Sequence, residues 1–268
     1  MTKTLTFLKL GGSLITDKES ASSPRPERIA MIAKEIGAVL SAEPEMQLLI
    51  GHGSGSFGHI PAKKHGTRQG VEDAEGWLGF VEVWKQAAEL NAIVMQALGA
   101  AGLAAISFPP SASATAIDGE ISSWDLGPIQ AALAAGLVPV VYGDVAFDET
   151  RGGTILSTEE LFQFLAKPLR PQRILLAANE AVYADYPSRE TIIPEIKRSN
   201  FAELSASLRG SEAEDVTGGM LGKVQSMLDL VEKQPELEVR IFSGVEADAV
   251  RKTLLGDELG TRIGGDEA

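Results

Sequence analysis

The chain has 268 residues, 44% of them hydrophobic, and a formal net charge of −13 at pH 7. That much apolar material can bury a large core, while the acidic balance excludes a general affinity for nucleic acid or anionic lipid, both of which need clustered basic surface. Cysteine is absent, so disulfide scaffolds, thiolate nucleophiles and cysteine-ligated metal centres fall away together.

The opening apolar run reaches its glycines at Gly11 and Gly12, too soon for a signal-peptide core or a bilayer span. A soluble, cytoplasmic protein is expected. Residues 5–10 read as a buried strand, followed by a helix that starts at Pro26 and repeats Ile29, Ile32, Ile36 and Leu40 on one face. A second strand spans 47–50, and a long helix covers 74–98. Further apolar runs at 104–108, 138–142, 173–177 and 239–243 read as strands. Between the last two, residues 180–211 are less regular and suggest an excursion on the nucleotide side. Alternating strands and helices predict an α/β fold, a three-layer αβα sandwich around a mainly parallel sheet. No linker interrupts it, so residues 1–268 are expected to form a single domain. In such sheets ligands lie at the carboxyl ends of strands, so the residues just after each run matter most.

The first strand ends in Lys9-Leu10-Gly11-Gly12-Ser13, with Asp17-Lys18 close behind. Paired glycines let backbone N–H groups approach a phosphate, and lysine adds a mobile point charge. An ordinary strand-to-helix turn with a solvated lysine is the plain alternative. The second strand runs into Gly51-His52-Gly53-Ser54-Gly55-Ser56-Phe57-Gly58-His59, a loop suited to wrapping an anion. Gly53, Gly55 and Gly58 also match the GxGxxG spacing, but Pro61, Gly66 and Gly70 argue against the continuous helix that a dinucleotide fingerprint requires. His59 can donate to a phosphate oxygen or carry a proton. The three histidines, His52, His59 and His65, fall in this one segment, yet no carboxylate stands among them at ligand spacing, so no metal site is expected.

The strand at 138–142 leads into Gly143-Asp144, where a carboxylate could orient a lysine or simply cap a turn. Late in the chain, Asp215-Val216-Thr217-Gly218-Gly219 precedes a helix with Lys223 in its first turn, a plausible phosphate grip. It is not a Walker A loop, and the DFG and HRD signatures of protein kinases are missing.

Taken together these segments resemble the amino acid kinase superfamily, and within it the isopentenyl phosphate kinases. The pattern KLGGS-x-x-T-x-K stands at Lys9 to Lys18 and HG-x-GSFGH at His52 to His59. GF-x-x-V follows at Gly79 to Val83, Leu-Asn at Leu90-Asn91 and VPV-x-x-GD at Val138 to Asp144. DVTGGM-x-x-K at Asp215 to Lys223 and a closing segment from Leu254 to Thr261 complete it. Two departures stand out: Glu180-Ala181-Val182-Tyr183 where the family writes Asp-Gly-Val-Tyr, and Thr158-Glu159 where Gly-Asp is common. Both bear on nucleotide binding.

The resemblance implies transfer of the ATP γ-phosphoryl group to isopentenyl phosphate, with magnesium accompanying ATP and a homodimer as the assembly. It assigns catalysis to Lys9, Lys18, His59, Asp144 and Lys223, with Lys18 at the transition state and Asp144 holding a lysine in register. Ser54, Gly55, Gly143 and His59 would bind the acceptor phosphate. Gly11, Gly12, Ser13, Gly55, Asn179, Tyr183, Gly218 and Gly219, with Lys9 and Lys223, would bind ATP. The N-terminal part would thus serve the acceptor and the C-terminal part the nucleotide. Trp77, Phe80, Val81, Val83 and Trp84 are candidates for the prenyl pocket, against ordinary core packing. Fosfomycin-type phosphonate kinases, a non-catalytic ligand-binding relative and a dinucleotide oxidoreductase are the competing readings.

Overall fold

A computed structural model describes residues 4–17, 20, 22–185, 187–209 and 219–265. In chain order the elements begin with β1 (Thr4–Leu10), α1 (Gly12–Ile15), α2 (Pro26–Ala42), β2 (Met46–His52), α3 (Gly55–His65) and α4 (Ala74–Ala100). The middle of the chain forms β3 (Ala105–Ser107), β4 (Ala114–Ile117), β5 (Glu120–Trp124), α5 (Gly127–Ala134), β6 (Val138–Tyr142), β7 (Asp144–Asp148) and β8 (Gly152–Leu156). Then come α6 (Thr158–Leu169), β9 (Arg173–Ala178), β10 (Glu195–Ile196), α7 (Arg198–Arg209), α8 (Gly219–Lys233), β11 (Glu238–Ser243), α9 (Ala249–Leu255) and β12 (Thr261–Ile263).

The main sheet has the order β10-β12-β11-β9-β1-β2-β6-β3. Its six strands from β11 to β3 run parallel, and β12 pairs antiparallel with β11 at the other edge. These six are the six runs read from the sequence. Each is apolar on both faces because helices cover both sides. Side-chain alternation sorts them cleanly. Leu5, Phe7, Leu49, Val141, Ile174, Leu176, Val239 and Ile241 point to one core with α6 and α8. Leu8, Leu10, Leu48, Ile50, Val140, Leu175 and Phe242 point to the other, packed on α2, α4 and α9. The expected αβα sandwich is therefore present. Among the described residues no helix is long and apolar enough to cross a membrane.

Two parts of the architecture depart from expectation. A second sheet, ordered β5-β4-β7-β8, lies outside the predicted strands. And the stretch after β2 is a helix from its first residues, running through Pro61 to a left-handed cap at Gly66 with φ 62°. Proline there forfeits the hydrogen bond to Phe57, but Phe57, Pro61 and Ala62 are buried, and packing against α4 outweighs local propensity. Gly79 shows how close that packing is: a Cβ there would stand 2.4 Å from the His65 ring.

Candidate active site

β1 sits between β2 and β9, so the chain departs in opposite directions on its two sides, and the crevice of an open α/β sheet opens at its carboxyl end. A cavity of 580 Å³ occupies that place, walled by the ends of β1, β2, β6 and β8 and by the first turns of α3, α6 and α8. Alternation along β1 places its lysine: Leu5, Phe7 and Lys9 share one face, so Lys9 is carried to the α6 and α8 side just beyond the last apolar residue.

The two glycine turns press against one another. A Cβ on Gly12 would lie 2.5 Å from the Gly55 nitrogen, and Gly55 itself has φ 49°. Thr16 fastens them, donating from Oγ1 to the Gly12 carbonyl at 2.8 Å and accepting from the Ser56 N–H at 3.1 Å. The glycines thus answer to backbone contact between the turns. The same contact sets the first turns of α1 and α3, through Gly12, Ser13, Ser54 and Gly55, in the cavity wall. Helix amino ends present N–H groups without intrahelical partners, which suits a phosphate.

At the floor the Lys9 ammonium is ion-paired with Glu159, and both side chains are buried. Burial opposes ionisation of Glu159, but the Lys9 and Lys223 ammonium groups together hold its carboxyl below the usual range. Glu159 therefore gathers two lysines from distant parts of the chain. The carboxylate on Lys9 is Glu159. Asp144, expected to hold a lysine in register, stands at the start of β7 and accepts from the backbone N–H of Ser111 at 3.3 Å and Val145 at 2.8 Å. Asp144 is buried, and burial lifts its carboxyl to about 6 against the pull of those hydrogen bonds. The Thr158-Glu159 departure, read from sequence as bearing on nucleotide binding, sets Glu159 on Lys9, itself expected to bind ATP, while Thr158 donates to the His52 carbonyl at 2.7 Å and docks the start of α6 on β2.

The three histidines diverge. His52 is fully buried, stacked on Tyr142 and facing Asn91 Oδ1 at 3.2 Å, and burial lowers its pKa. His65 meets Glu82 at 2.7 Å on the surface of α3 and α4. His59 alone lines the cavity. Among the described residues no three of His, Asp and Glu converge as a metal site.

The cavity wall also has apolar members, Ile60, Ala62, Val83 and Ile155, beside Lys63, Lys64 and Arg68. Phe80 lies behind them in a small core with Val71 and Val145. Of the five residues expected around a tail, Val83 lines the cavity and Phe80 supports it, whereas Trp77, Val81 and Trp84 face solvent at 36%, 52% and 44% exposure. The spacing of α4 explains the split: positions 80, 83 and 87 are buried and 77, 81 and 84 form the neighbouring, more exposed stripe.

Of the predicted site residues, Lys9, Gly11, Gly12, Ser13, Ser54, Gly55, His59, Gly143 and Lys223 line this one cavity. Asn179 and Tyr183 stand apart from its wall, Asn179 accepting from Arg25 at 3.1 Å and Tyr183 bridging to Ile192. Gly219 is buried at the start of α8. Lys18 and Gly218 lie outside the described residues. Sequence reasoning passed over Arg68, Lys63 and Ile155, and it noted Glu159 only as a departure from the family pattern without its contact to Lys9. For Glu159 a signal existed, since Ser157 and Glu160 spell a capping box that fixes a helix start there.

Residues 4–243 match the family model described as Amino acid kinase family. The chain belongs to the amino acid kinase family. Among curated members of that family, the isopentenyl phosphate kinase of Methanothermobacter thermautotrophicus is 37% identical, over 97% of this chain and 98% of its own. The enzyme of the same name from Methanocaldococcus jannaschii is 32% identical over 97% and 98%. A solved isopentenyl phosphate kinase superposes with a TM-score of 0.81 at 31% identity, covering 97% of this chain and 99% of that one. A carbamate kinase from Giardia lamblia shares the amino acid kinase fold at a TM-score of 0.69 and 15% identity.

Proposed function

We propose that this amino acid kinase family member transfers the γ-phosphoryl group of ATP to isopentenyl phosphate, giving isopentenyl diphosphate and ADP. The observation that carries the reading is one cavity whose wall brings Lys9, Lys223 and His59 together with the apolar Ala62, Val83 and Ile155. It fits two phosphate groups end to end with a short hydrocarbon tail, and the 37% identical relative bears the corresponding name.

The second pKa of a phosphate monoester is about 6, so the acceptor is a dianion at neutral pH and needs no general base. One of its oxygens attacks the γ-phosphorus, the bond from that phosphorus to the β–γ bridging oxygen breaks, and ADP leaves with the electron pair. The difficulty is bringing anions together, a matter of position and charge. In this reading Lys9 and Lys223 neutralise the transferring and β-phosphates and Lys18 acts at the transition state. His59 donates to the acceptor phosphate, helped by the backbone of Ser54, Gly55 and Gly143. Asn179, Tyr183, Gly218 and Gly219 serve the nucleotide, so the N-terminal part of a single domain handles the acceptor and the C-terminal part ATP. Magnesium would arrive on the ATP phosphates.

A panel of acceptors assayed with ATP by coupled ADP release tests the reading. Isopentenyl phosphate should be turned over with the highest kcat/KM, ahead of phosphonates and of inorganic phosphate. A phosphonate that wins, or no turnover of any prenyl phosphate, would refute it.

We also infer a homodimer seated on the outer stripe of α4. Trp77, Leu78, Val81 and Trp84 are 36%, 71%, 52% and 44% exposed, and Phe147 beside Trp77 is 53% exposed. A contiguous apolar stripe of this kind is unusual for a solvated helix face, and a second copy would bury it twice over. Light scattering should give a dimer that Val81→Glu dissociates; a wild-type monomer at micromolar concentration would end the inference.

A further inference from the structure

Arg68 stands in the turn after α3, half-buried, with its side chain in the cavity wall. Its guanidinium forks onto Glu160, Nη2 to Oε1 at 2.7 Å and Nη1 to Oε2 at 3.4 Å, while Nη1 also donates to the Ile155 carbonyl at 3.1 Å. The Arg68 carbonyl in turn accepts from Thr154 Oγ1 at 3.2 Å. One residue therefore ties the exit of α3 to the end of β8 and to the first turn of α6.

Capping alone does not explain this arrangement. Glu160 already completes the box, accepting from the Ser157 N–H at 2.6 Å and donating its own N–H to Ser157 Oγ at 3.2 Å. That pair satisfies the helix start without a guanidinium. Nor is stability a sufficient account, because a half-exposed ion pair contributes roughly 0–1 kcal/mol. What the fork adds is placement. The residue preceding Glu160 is Glu159, which holds Lys9, and α3, from whose exit Arg68 springs, carries His59.

We propose that Arg68 is a positioning residue: gripping Glu160, it fixes the first turn of α6 so that Glu159 keeps Lys9 in register with the His59 face of α3. The proposal rests on the phosphotransfer reading above and deepens it. Arg68 would then couple the two ends of the cavity, the charge-neutralising floor and the acceptor wall, without touching the transferred group. Ile155, whose carbonyl it also holds, keeps the apolar wall in the same frame.

The test compares Arg68→Ala, Arg68→Lys, Glu160→Gln and the Arg68→Ala/Glu160→Gln double variant of the full chain, assayed with ATP and isopentenyl phosphate. Misplacement by about an ångström can cost on the order of a hundredfold in rate. Arg68→Ala should accordingly lose on the order of tenfold or more in kcat, with the ATP KM nearly unchanged and the chain still fully folded at the assay temperature by circular dichroism. Glu160→Gln should match it, the double variant should be no worse than the poorer single one because both act on one contact, and lysine should restore part of the loss. A wild-type kcat in Arg68→Ala, losses that multiply in the double variant, or a fall in kcat that merely tracks the folded fraction by circular dichroism would overturn the proposal. A second readout needs no turnover. In a carbon-13 carboxyl NMR titration, Arg68→Ala should raise the Glu159 pKa as Lys9 drifts away, because burial already opposes its ionisation. If the wild-type chain phosphorylates no acceptor, the phosphotransfer reading fails and this titration alone decides: an unchanged Glu159 removes Arg68 from the positioning role.

Discussion

Replacing Glu159 by glutamine is expected to destabilise the ligand-free protein by about 3 kcal/mol, the usual scale for stripping one partner from a buried ion pair. The reason is local. Glu159 is the anion between Lys9 and Lys223, and Lys9 has a side chain only 7% exposed, so water cannot replace the lost charge. ATP can, because its phosphates would bring negative charge to the same lysines. Saturating ATP should therefore raise the melting temperature of Glu159→Gln by more than that of the wild type, a ligand at a hundred times its Kd contributing about 2.7 kcal/mol. Equal shifts in both proteins would mean that Glu159 and the nucleotide phosphates do not share partners. The pH dependence has a fixed sign. A carboxyl whose pKa is lowered on folding contributes stability that is complete above its unfolded value, about 4.3, and lost as pH falls through the folded value. Acidification below that point should cost the wild type more than the variant, and above it the gap between the two curves should stay flat.

That prediction rests on a contact no reading of the sequence supplied, and the reason is instructive. The placement of Lys9 was legible: a strand buried on both faces sends residues 5, 7 and 9 the same way, and the glycines after it announce a carboxyl-end crevice. Which element would meet Lys9 there was not, because the order β9-β1-β2 and the docking of α6 are tertiary facts. The six parallel strands of the main sheet are apolar runs, so their existence followed from pattern alone, whereas β10 and β12 at its edge, two and three residues long, gave no such run. The second sheet escaped because its strands are short and partly polar, as in Glu120–Trp124. Its one clear sign was the dipeptide Asp118-Gly119, with φ 52° and 86°, the left-handed pair that closes a two-residue hairpin. For α3 the error ran the other way. Pro61 was weighed as a helix breaker, and burial against α4 overrode it. The tail pocket was half legible for a related reason: the apolar residues of α4 were seen, but its two faces were not separated, and Phe80 and Val83 face inward while Trp77, Val81 and Trp84 face out.

His59 offers the sharpest test of which chemistry the acceptor end performs. If His59 acts as a hydrogen-bond donor to a phosphate already ionised, glutamine, which also carries an N–H, should keep part of the function that alanine loses. A hydrogen bond to a charged group contributes about 1.5–3 kcal/mol, or roughly ten- to a hundredfold in binding. His59→Ala should raise the KM for isopentenyl phosphate by that factor, His59→Gln by less, and calorimetric ATP affinity should stay near the wild-type value in both, because Lys9, Lys223 and the α1 turn are untouched. Were His59 a general base, glutamine would be no better than alanine and the loss would fall on kcat. Were it a structural turn residue, ATP and acceptor would suffer together. The position of His59 favours the first outcome: it lines the cavity in the first turns of α3, next to the Ser54 and Gly55 backbone that would hold the same phosphate, in a wall that also carries the apolar Ala62, Val83 and Ile155. A donor there would fix the phosphate and leave the hydrocarbon to those apolar side chains, which is the distinction a prenyl phosphate kinase has to make.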